Sequence, residues 1–157
     1  MGIEIREIKE KDKKGMYKFC LGIFEEMGWD KNFTYGLDNL KKFFGGEREI
    51  FIVAKLGKKI MACAGLKELS KKDGLIKRFY VAKEFRGRGL AGLMLKIIKK
   101  FAREKNYKTI MVDIFQDNLR AKKFFQKKGF SIFNPSPREN WPESKHPKLF
   151  EFKKLEL

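Results

Sequence analysis

The chain has 157 residues and a formal net charge of +17, and 43% of its residues are hydrophobic. This length is typical of one domain of roughly 100–200 residues, and the hydrophobic fraction is high enough for an ordinary buried core. No apolar run approaches the roughly 18 residues of a membrane-spanning helix, and the first residues lack the pattern of a secretory signal. We therefore expect a single cytoplasmic domain over residues 1–157 with no membrane partner.

The excess of positive charge consists mostly of lysine pairs that are scattered along the chain, as at 13–14, 41–42 and 99–100. Dispersed pairs of this kind are typical of solvated helix faces. A net charge of +17 nevertheless favours anionic partners, which include nucleic acids, acidic proteins and phosphorylated cofactors. We expect the charge to be diffuse and nucleic acid not to be a specific partner.

The two cysteines, Cys20 and Cys63, lie in apolar stretches, where a small buried thiol is the expected role. Neither has a neighbouring histidine that would suggest a nucleophile. Free thiols fit a reducing cytoplasm, and no metal site is predicted.

Periodicity in the first third of the chain predicts a strand and two helices. Residues 3–8 alternate apolar and charged side chains, as a half-exposed strand does. Apolar residues recur at helical spacing over 16–27, and Gly28 follows at a position where helices commonly end. A second, shorter helix is predicted over 37–44, and residues 29–35 connect the two helices.

Three strands follow these helices. Two apolar, β-branched runs at 49–56 and 59–66 flank Gly57-Lys58 and predict a hairpin. After the turn residues 71–74, residues 75–81 predict another strand.

The second half of the chain alternates helices and strands. An amphipathic helix starts at Leu90 and carries apolar residues as far as Ala102. The nearly all-apolar run 109–115 lacks alternation and predicts a strand that is covered on both faces. The remaining predicted elements are a helix over 119–128 that ends at Gly129, a strand over 130–133, a loop over 134–147 that holds all four prolines, and a final strand that includes Leu149, Phe150 and Phe152.

The most informative segment runs from Val81 to Gly92, where a strand ends in a glycine-rich loop that opens an amphipathic helix. Glycines allow the backbone to approach an anion closely, and the first amides of a helix point outward without partners. Arg86 and Arg88 would add charge-assisted contacts to phosphate oxygens. The loop is therefore a candidate pyrophosphate site, although an ordinary basic turn has the same composition.

Two motifs in this half of the chain resemble those of the GNAT superfamily of N-acetyltransferases. Arg86-x-x-Gly89-x-Ala91 is similar to its Gln/Arg-x-x-Gly-x-Gly/Ala signature. The segment similar to its second motif follows the strand at 109–115 and reads Asn118-x-x-Ala121-x-x-Phe124-Phe125-x-x-x-Gly129-Phe130.

The resemblance extends over about the whole chain, because the order of the preceding strands and helices is also that of the superfamily. It implies an α/β GNAT fold with a mixed, mostly antiparallel central sheet of about six to seven strands, flanked by about four helices.

The resemblance also implies that acetyl-coenzyme A (acetyl-CoA) is the cosubstrate and that its acetyl group is transferred to a primary amine. Phe79, Tyr80 and Val81 would line the pantetheine arm, and the main chain of Val81 would bind it as another strand would. Asn118 would lie near the pantetheine or position a water, and a helix N-cap is its alternative role. The pyrophosphate would be held by Arg86, Gly87, Arg88, Gly89, Leu90, Ala91 and Gly92.

The catalytic groups are where this sequence departs from the pattern of the superfamily. Phe125 stands where many relatives have a tyrosine that acts as general acid. Asp113 matches an acidic base position of ribosomal-protein N-terminal acetyltransferases, and burial in an apolar strand would raise the pKa of its carboxylate. A strand-end aspartate that faces solvent or pairs with a lysine is the alternative. We predict Asp113 and Asn118 as catalytic residues, and the other polar candidates are Glu68, Tyr35, Tyr80 and His146.

The predicted reaction is direct attack of a neutral amine on the acetyl thioester, whose carbonyl is polarised by a backbone amide near Val81. The acceptor should contact residues 29–35 and the loop at 134–146, since loops at the open end of a sheet define such sites. Trp29 and Trp141 either bind the acceptor or cover the core. The loop also includes Arg138 and Glu139.

Two other functions remain open on the sequence alone. The absence of a tyrosine at position 125 fits a catalytically silent module that binds acetyl-CoA. The charge of +17 fits a nucleic-acid-binding protein, which would need a contiguous basic face with exposed aromatic residues. A homodimer is also compatible with the sequence.

Overall fold

Seven strands form one sheet in the computed structural model, which describes residues 2–157. The strands are β1 (Glu4–Glu7), β2 (Ile50–Leu56), β3 (Lys59–Glu68), β4 (Asp73–Val81), β5 (Thr109–Phe115), β6 (Ser131–Ile132) and β7 (Phe150–Glu156). Their order across the sheet is β1-β2-β3-β4-β5-β7-β6. Every neighbouring pair is antiparallel except β4 and β5, which run parallel.

Four α-helices accompany the sheet: α1 (Lys13–Met27), α2 (Leu40–Phe43), α3 (Leu90–Glu104) and α4 (Leu119–Lys127). The mixed, mostly antiparallel sheet and the four helices implied by the resemblance are therefore confirmed. Among the described residues, no helix is long and apolar enough to cross a membrane.

Most elements lie close to their predicted ends. The helix α1 stops where Gly28 adopts a left-handed φ of 67° and returns its amide to the last turn. The predicted helix over 37–44 is divided, because the side chain of Asn39 accepts the amide of Lys42 and caps a new helix. A 3-10 turn therefore precedes a short α2. The predicted strand over 130–133 is reduced to the two residues of β6 that pair with β7.

Alternate residues of β4 and β5 supply separate cores on the two faces of the sheet. Ile76 and Val112 pack with residues of α3 and α4. Leu75 and Met111 pack with residues of α1, together with the fully buried Trp141 from the proline-containing loop. The prediction that residues 109–115 are covered on both faces is confirmed.

The two cysteines are buried free thiols, as expected from their apolar surroundings. Their sulfur atoms lie 4.0 Å apart between α1 and β3. Burial raises the pKa of the Cys63 thiol, which therefore stays protonated and unreactive near neutral pH.

The two parallel strands separate before they end. Residue pairing between β4 and β5 begins at Asp73 with Thr109 and stops at Ile76 with Val112. Beyond that point residues 77–81 pair only with β3 and residues 113–115 only with β7. A wedge-shaped cleft therefore opens at the carboxyl ends of the two strands, where ligands of such sheets commonly bind.

Candidate active site

The separation of β4 and β5 creates a cleft with a volume of about 50 Å³. Its walls come from the ends of both strands, the start of α4 and the two loops expected to contact an acceptor. The lining residues include Trp29, Phe33, Arg78, Phe79, Tyr80, Asp113, Phe115, Asn118, Phe125 and Glu143.

A β-bulge at Arg78 decides which side chains of β4 face which wall. Three steps along β4, from Lys77 to Tyr80, match two steps along β3. Arg78 has a φ of 57°, which side chains of this size rarely adopt and which bends the strand. As a result Lys77, Arg78 and Tyr80 all contact residues on the α1 side of the sheet. Phe79 instead packs against the phenylalanine rings of α4.

The loop between β4 and α3 presents a row of unpaired backbone donors. Within residues 2–157, the amides of residues 87–92 donate to no protein acceptor. Gly87 and Gly89 have φ values of 77° and 82°, which glycine adopts without a steric penalty. A Cβ at either position would meet no atom within 4 Å, so glycine is required by the backbone conformation and not by crowding. Six free donors at the positive end of a 15-residue helix form a candidate anion site.

Arg86 and Arg88, both predicted to contact the pyrophosphate, differ in their surroundings. Nε of Arg86 donates to the carbonyl of Val81 at 2.9 Å, and its terminal nitrogens bind Glu26 at 2.6 and 3.1 Å. This ion pair lowers the pKa of Glu26. Arg88 is exposed, and its guanidinium lies 5.8 Å from the ring of Phe85. Arg86 thus fastens the loop to α1, while Arg88 remains available for an anion.

Lys77, which is only 4% exposed, holds two carboxylates together at the cleft. Its Nζ lies 2.9 Å from Oδ2 of Asp113 and 2.7 Å from Oε2 of Glu143. Nε1 of Trp141 donates to the same Oδ2 at 2.7 Å, and the hydroxyl of Tyr35 donates to Glu143. Asp113 is thus paired with a lysine, one of the two roles open on the sequence. Its Oδ1 accepts no hydrogen bond from any residue in 2–157.

The two carboxylates of this cluster differ in their affinity for protons. Burial raises the pKa of Asp113, and the ammonium of Lys77 opposes that rise. Burial also acts to raise the pKa of Glu143, but Lys77 and the Tyr35 hydroxyl together hold it below its ordinary value. Because one ammonium serves two buried carboxylates, a proton that enters the cluster should reside on Asp113.

The α4 wall of the cleft is formed by a helix start and an apolar ring. The side chain of Asn118 accepts the amide of Ala121 at 3.2 Å, so the capping role left open by the sequence is present. Asn118 also lines the cleft. Phe125 is 3% exposed and packs against Phe79 and Phe130. Position 125 therefore has no side chain that could act as a general acid.

The aromatic residues of the two loops have different roles. Trp29 lines the cleft, where its ring stacks 4.4 Å from that of Phe115 and its Nε1 donates to Asp117 at 2.9 Å. Trp141 is fully buried and covers the core. His146, one of the polar candidates, is exposed and is not among the residues that line the cleft.

Three charged residues expected near the reaction or the acceptor lie away from the cleft. Glu68 pairs with Gly74 at the opposite end of the sheet and forms an ion pair with Arg48. Arg138 lies 3.6 Å from Asp73, at the amino end of β4. Glu139 is exposed beside Lys145. The folding of the proline-containing loop back along β4 removes Arg138 and Glu139 from the site, and Glu68 is excluded by its place at the end of β3.

Sequence reasoning missed three charged residues of the cleft: Lys77, Arg78 and Glu143. A signal for the first two was available, because two consecutive cations interrupt an otherwise apolar strand. Glu143 carried no such signal, since an acidic residue in a loop with many prolines is ordinarily exposed.

Known structures share this fold. An acetyltransferase of the GNAT family from Staphylococcus aureus Mu50 is 23% identical, with a TM-score of 0.84 and 99% of both chains covered. An acetyltransferase from Streptococcus agalactiae 2603 is 16% identical, with a TM-score of 0.82, and covers 100% of this chain and 99% of its own. The PaiA N-acetyltransferase from Thermoplasma acidophilum, in complex with coenzyme A, is 14% identical, with a TM-score of 0.76 and 100% of both chains covered.

Sequence comparison is consistent with these structural likenesses. No curated protein matches the chain significantly. The sequence profile of the acetyltransferase (GNAT) family matches residues 17–130. This match extends over most of the chain and includes both motifs that carried the resemblance. The chain therefore belongs to the acetyltransferase (GNAT) family.

Proposed function

We propose that the protein transfers the acetyl group of acetyl-CoA to a primary amine. The observation that carries this proposal is that β4, which opens the cleft where it separates from β5, leads directly into the row of free amides at residues 87–92. When bound, acetyl-CoA would supply an activated thioester carbonyl and a thiol leaving group. The residues of this chain would hold it and the amine in place.

The loop residues fit the pyrophosphate of such a cosubstrate. The free amides of 87–92 and the exposed Arg88 provide neutral and charged donors side by side. Lys128 adds a second positive charge, because its Nζ lies 3.4 Å from the place that a Cβ at Gly92 would occupy. Arg86 acts indirectly in this proposal, since its ion pair with Glu26 positions the loop.

The cleft fits an extended arm with amide groups. The edge of β4 beyond Ile76 has no strand partner in β5, so its backbone can pair with a ligand as it would with a strand. Phe79 and Phe125 supply an apolar wall for this arm. The carbonyl of Val81 is occupied by Arg86, so we assign the contacts to other backbone groups of residues 77–81.

Asp113 is the proposed base. An amine with an ordinary pKa of about 10 must lose a proton before it can attack a carbonyl. Lys77 and Trp141 hold Oδ2 of Asp113, which leaves Oδ1 to receive that proton directly or through water. Phe125 cannot protonate the departing thiolate, so we assign that proton to water. Orientation of the amine in the cleft would supply roughly 7–11 kcal/mol of the rate enhancement.

A catalytically silent acetyl-CoA-binding module is the second candidate. The apolar Phe125 and the engagement of Asp113 by Lys77 support it, because both reduce the number of groups able to move protons.

One screen separates these functions. The protein is incubated with acetyl-CoA and a panel of amines, comprising amino acids, polyamines, aminoglycosides and peptides, and release of the free thiol is followed. We expect at least one amine to raise thiol release well above the rate without amine. Acetyl-CoA binding in a calorimetric titration without turnover of any amine would support the silent module. Absence of binding would contradict both candidates.

A further inference from the structure

Arg78 is a buried cation in an unusual backbone conformation among the residues that line the cleft. Its residue surface is 4% exposed and its φ is 57°. Positive φ in a residue other than glycine, asparagine or aspartate is uncommon and is often retained at functional sites. The bulge turns this side chain from the α4 wall to the α1 wall of the cleft.

The guanidinium of Arg78 has more donors than acceptors around it. One terminal nitrogen donates to the carbonyl of Tyr35 at 2.6 Å, and the other lies 3.5 Å from the hydroxyl of Tyr80. Nε is buried and has no partner in residues 2–157. Two of the five N–H groups of a guanidinium are thereby used, and both acceptors are neutral.

No carboxylate of residues 2–157 lies within 4.0 Å of this guanidinium, although two lie in the same cleft. Asp113 and Glu143 both bind Lys77 instead. The other arginines that are not fully exposed each form an ion pair; these are Arg6, Arg48, Arg86 and Arg138. A buried charge without a partner is unfavourable, so an anionic side chain of the protein would be expected here if the role of Arg78 were only structural.

The position of Arg78 favours an anion that belongs to the acceptor. Phe79, the next residue, faces the apolar α4 wall, whereas Arg78 faces the loop at 29–35 on the opposite side. At roughly 3.3 Å per residue along a strand, Arg78 lies within about 10 Å of every backbone group from Phe79 to Val81. A group bound to Arg78 would therefore be only a few bonds from an amine that enters the reaction.

We propose that Arg78 binds a carboxylate of the acceptor, so that the acceptor is a small amino acid whose amine and carboxylate are separated by a few bonds. This inference rests on the proposed acetyltransferase function. A planar guanidinium with adjacent free donors matches the geometry of a carboxylate, which it can bind with two parallel hydrogen bonds. The carboxylate would also supply the negative charge that the cleft lacks beside Arg78.

The test compares the common amino acids with their carboxamides, which have the same side chain and amine but no carboxylate. For the best acceptor, we expect kcat/KM to be at least about 10-fold higher for the acid than for the amide. Arg78→Gln should reduce this ratio to near unity, and Arg78→Lys should retain part of it. Arg48→Gln is the matched control: Arg48 also donates to backbone carbonyls, but at the opposite end of the sheet, and its variant should keep the wild-type ratio.

A binding measurement makes the test independent of turnover and of damage to the fold. In the presence of coenzyme A, the thermal midpoint of the wild-type protein should rise with the amino acid and not with its amide. Equal turnover of acid and amide, or a preference that survives in folded Arg78→Gln, would overturn the carboxylate site while leaving the transferase function intact. If no amine is turned over, the transferase proposal fails. If the acid and the amide then raise the thermal midpoint of the protein equally, the carboxylate site is overturned as well.

Discussion

The ammonium of Lys77 lies 2.9 Å from Oδ2 of Asp113, although the two residues belong to different strands and are 36 positions apart in the chain. Their strands are paired in parallel only as far as the residues immediately before them. The ion pair therefore stands at the point where the cleft opens. It orients one oxygen of Asp113 and leaves the other without a protein donor among residues 2–157.

Replacement of Asp113 tests its role as base. Asp113→Asn preserves the shape of the side chain and removes its ability to accept a proton. We expect turnover of an identified amine to fall by about 10²-fold or more, with little change in the affinity for acetyl-CoA. The wild-type rate should rise with pH as Asp113 and the amine lose their protons. Burial raises the pKa of Asp113, and the part of the pH–rate profile that reports its deprotonation should be absent in the variant.

Asp73→Asn is the matched control, because Asp73 lies at the other end of β4 and pairs with Arg138. Its turnover should stay near that of the wild type. Full activity of Asp113→Asn over about pH 6 to 9 would show that Asp113 is structural. Tyr80 and Asn118 would then be the next candidates, since both line the cleft.

Replacement of Gly89 tests the anion site. Gly89→Val should abolish binding of acetyl-CoA, because a branched side chain would occupy the space in front of the free amides. Calorimetric titration measures the affinity, and circular dichroism verifies the fold. Gly57→Val is the control: Gly57 has a similar φ of 61° and equally open surroundings, but it lies in the hairpin between β2 and β3. Unchanged affinity in a folded Gly89→Val protein would remove residues 87–92 from the binding site.

An ion pair remote from the cleft should control acid stability. Asp12, with a side chain that is 1% exposed, accepts hydrogen bonds from Arg6 at 2.6 and 3.1 Å and from Lys55 at 3.2 Å. The Arg6 guanidinium holds the pKa of this carboxyl far below its ordinary range. A carboxyl whose pKa is depressed by folding contributes stability above its unfolded pKa of about 4, and this stability is lost as the pH falls further.

We therefore expect Asp12→Asn to lower the free energy of unfolding at neutral pH by about 2–3 kcal/mol and to flatten its decline below about pH 4. Chemical denaturation at several pH values measures both effects. Glu4→Gln removes the exposed partner of Arg6, which should cost less than about 0.5 kcal/mol. Equal losses in the two variants would contradict the assignment to Asp12.

The net charge of +17 should not produce a specific nucleic-acid site. Its lysines are dispersed, and we expect binding of DNA or RNA oligonucleotides to be weak and independent of sequence at about 0.15 M salt. Fluorescence anisotropy with oligonucleotides of different sequence measures this. Tight, sequence-dependent binding that persists when acetyl-CoA is saturating would show that the charge has a dedicated partner.

Much of the fold was predictable because its signals are local. Gly28 marks the end of a helix, because glycine readily adopts the left-handed conformation found there. The unbroken apolar run at 109–115 marks a strand that is buried on both faces. The loop from Val81 to Gly92 was predictable for the same reason, since its glycines and the start of α3 are adjacent in the chain. The division of the 37–44 helix was missed, because the cap at Asn39 competes with a periodic pattern that continues across it.

The charged interior of the site was decided by tertiary structure. Lys77, Asp113 and Glu143 come together only because two strands separate and the proline-containing loop folds inward. The orientation of Arg78 depends on one extra residue in the register of β4 with β3, and a shift of one residue moves a side chain to the opposite face. The sequence by itself determined the elements and the glycine-rich loop before α3, where the interacting groups are neighbours along the chain. Which charges meet in the cleft, and which one lacks a partner, depended on contacts between distant segments, whose register and packing local patterns do not specify.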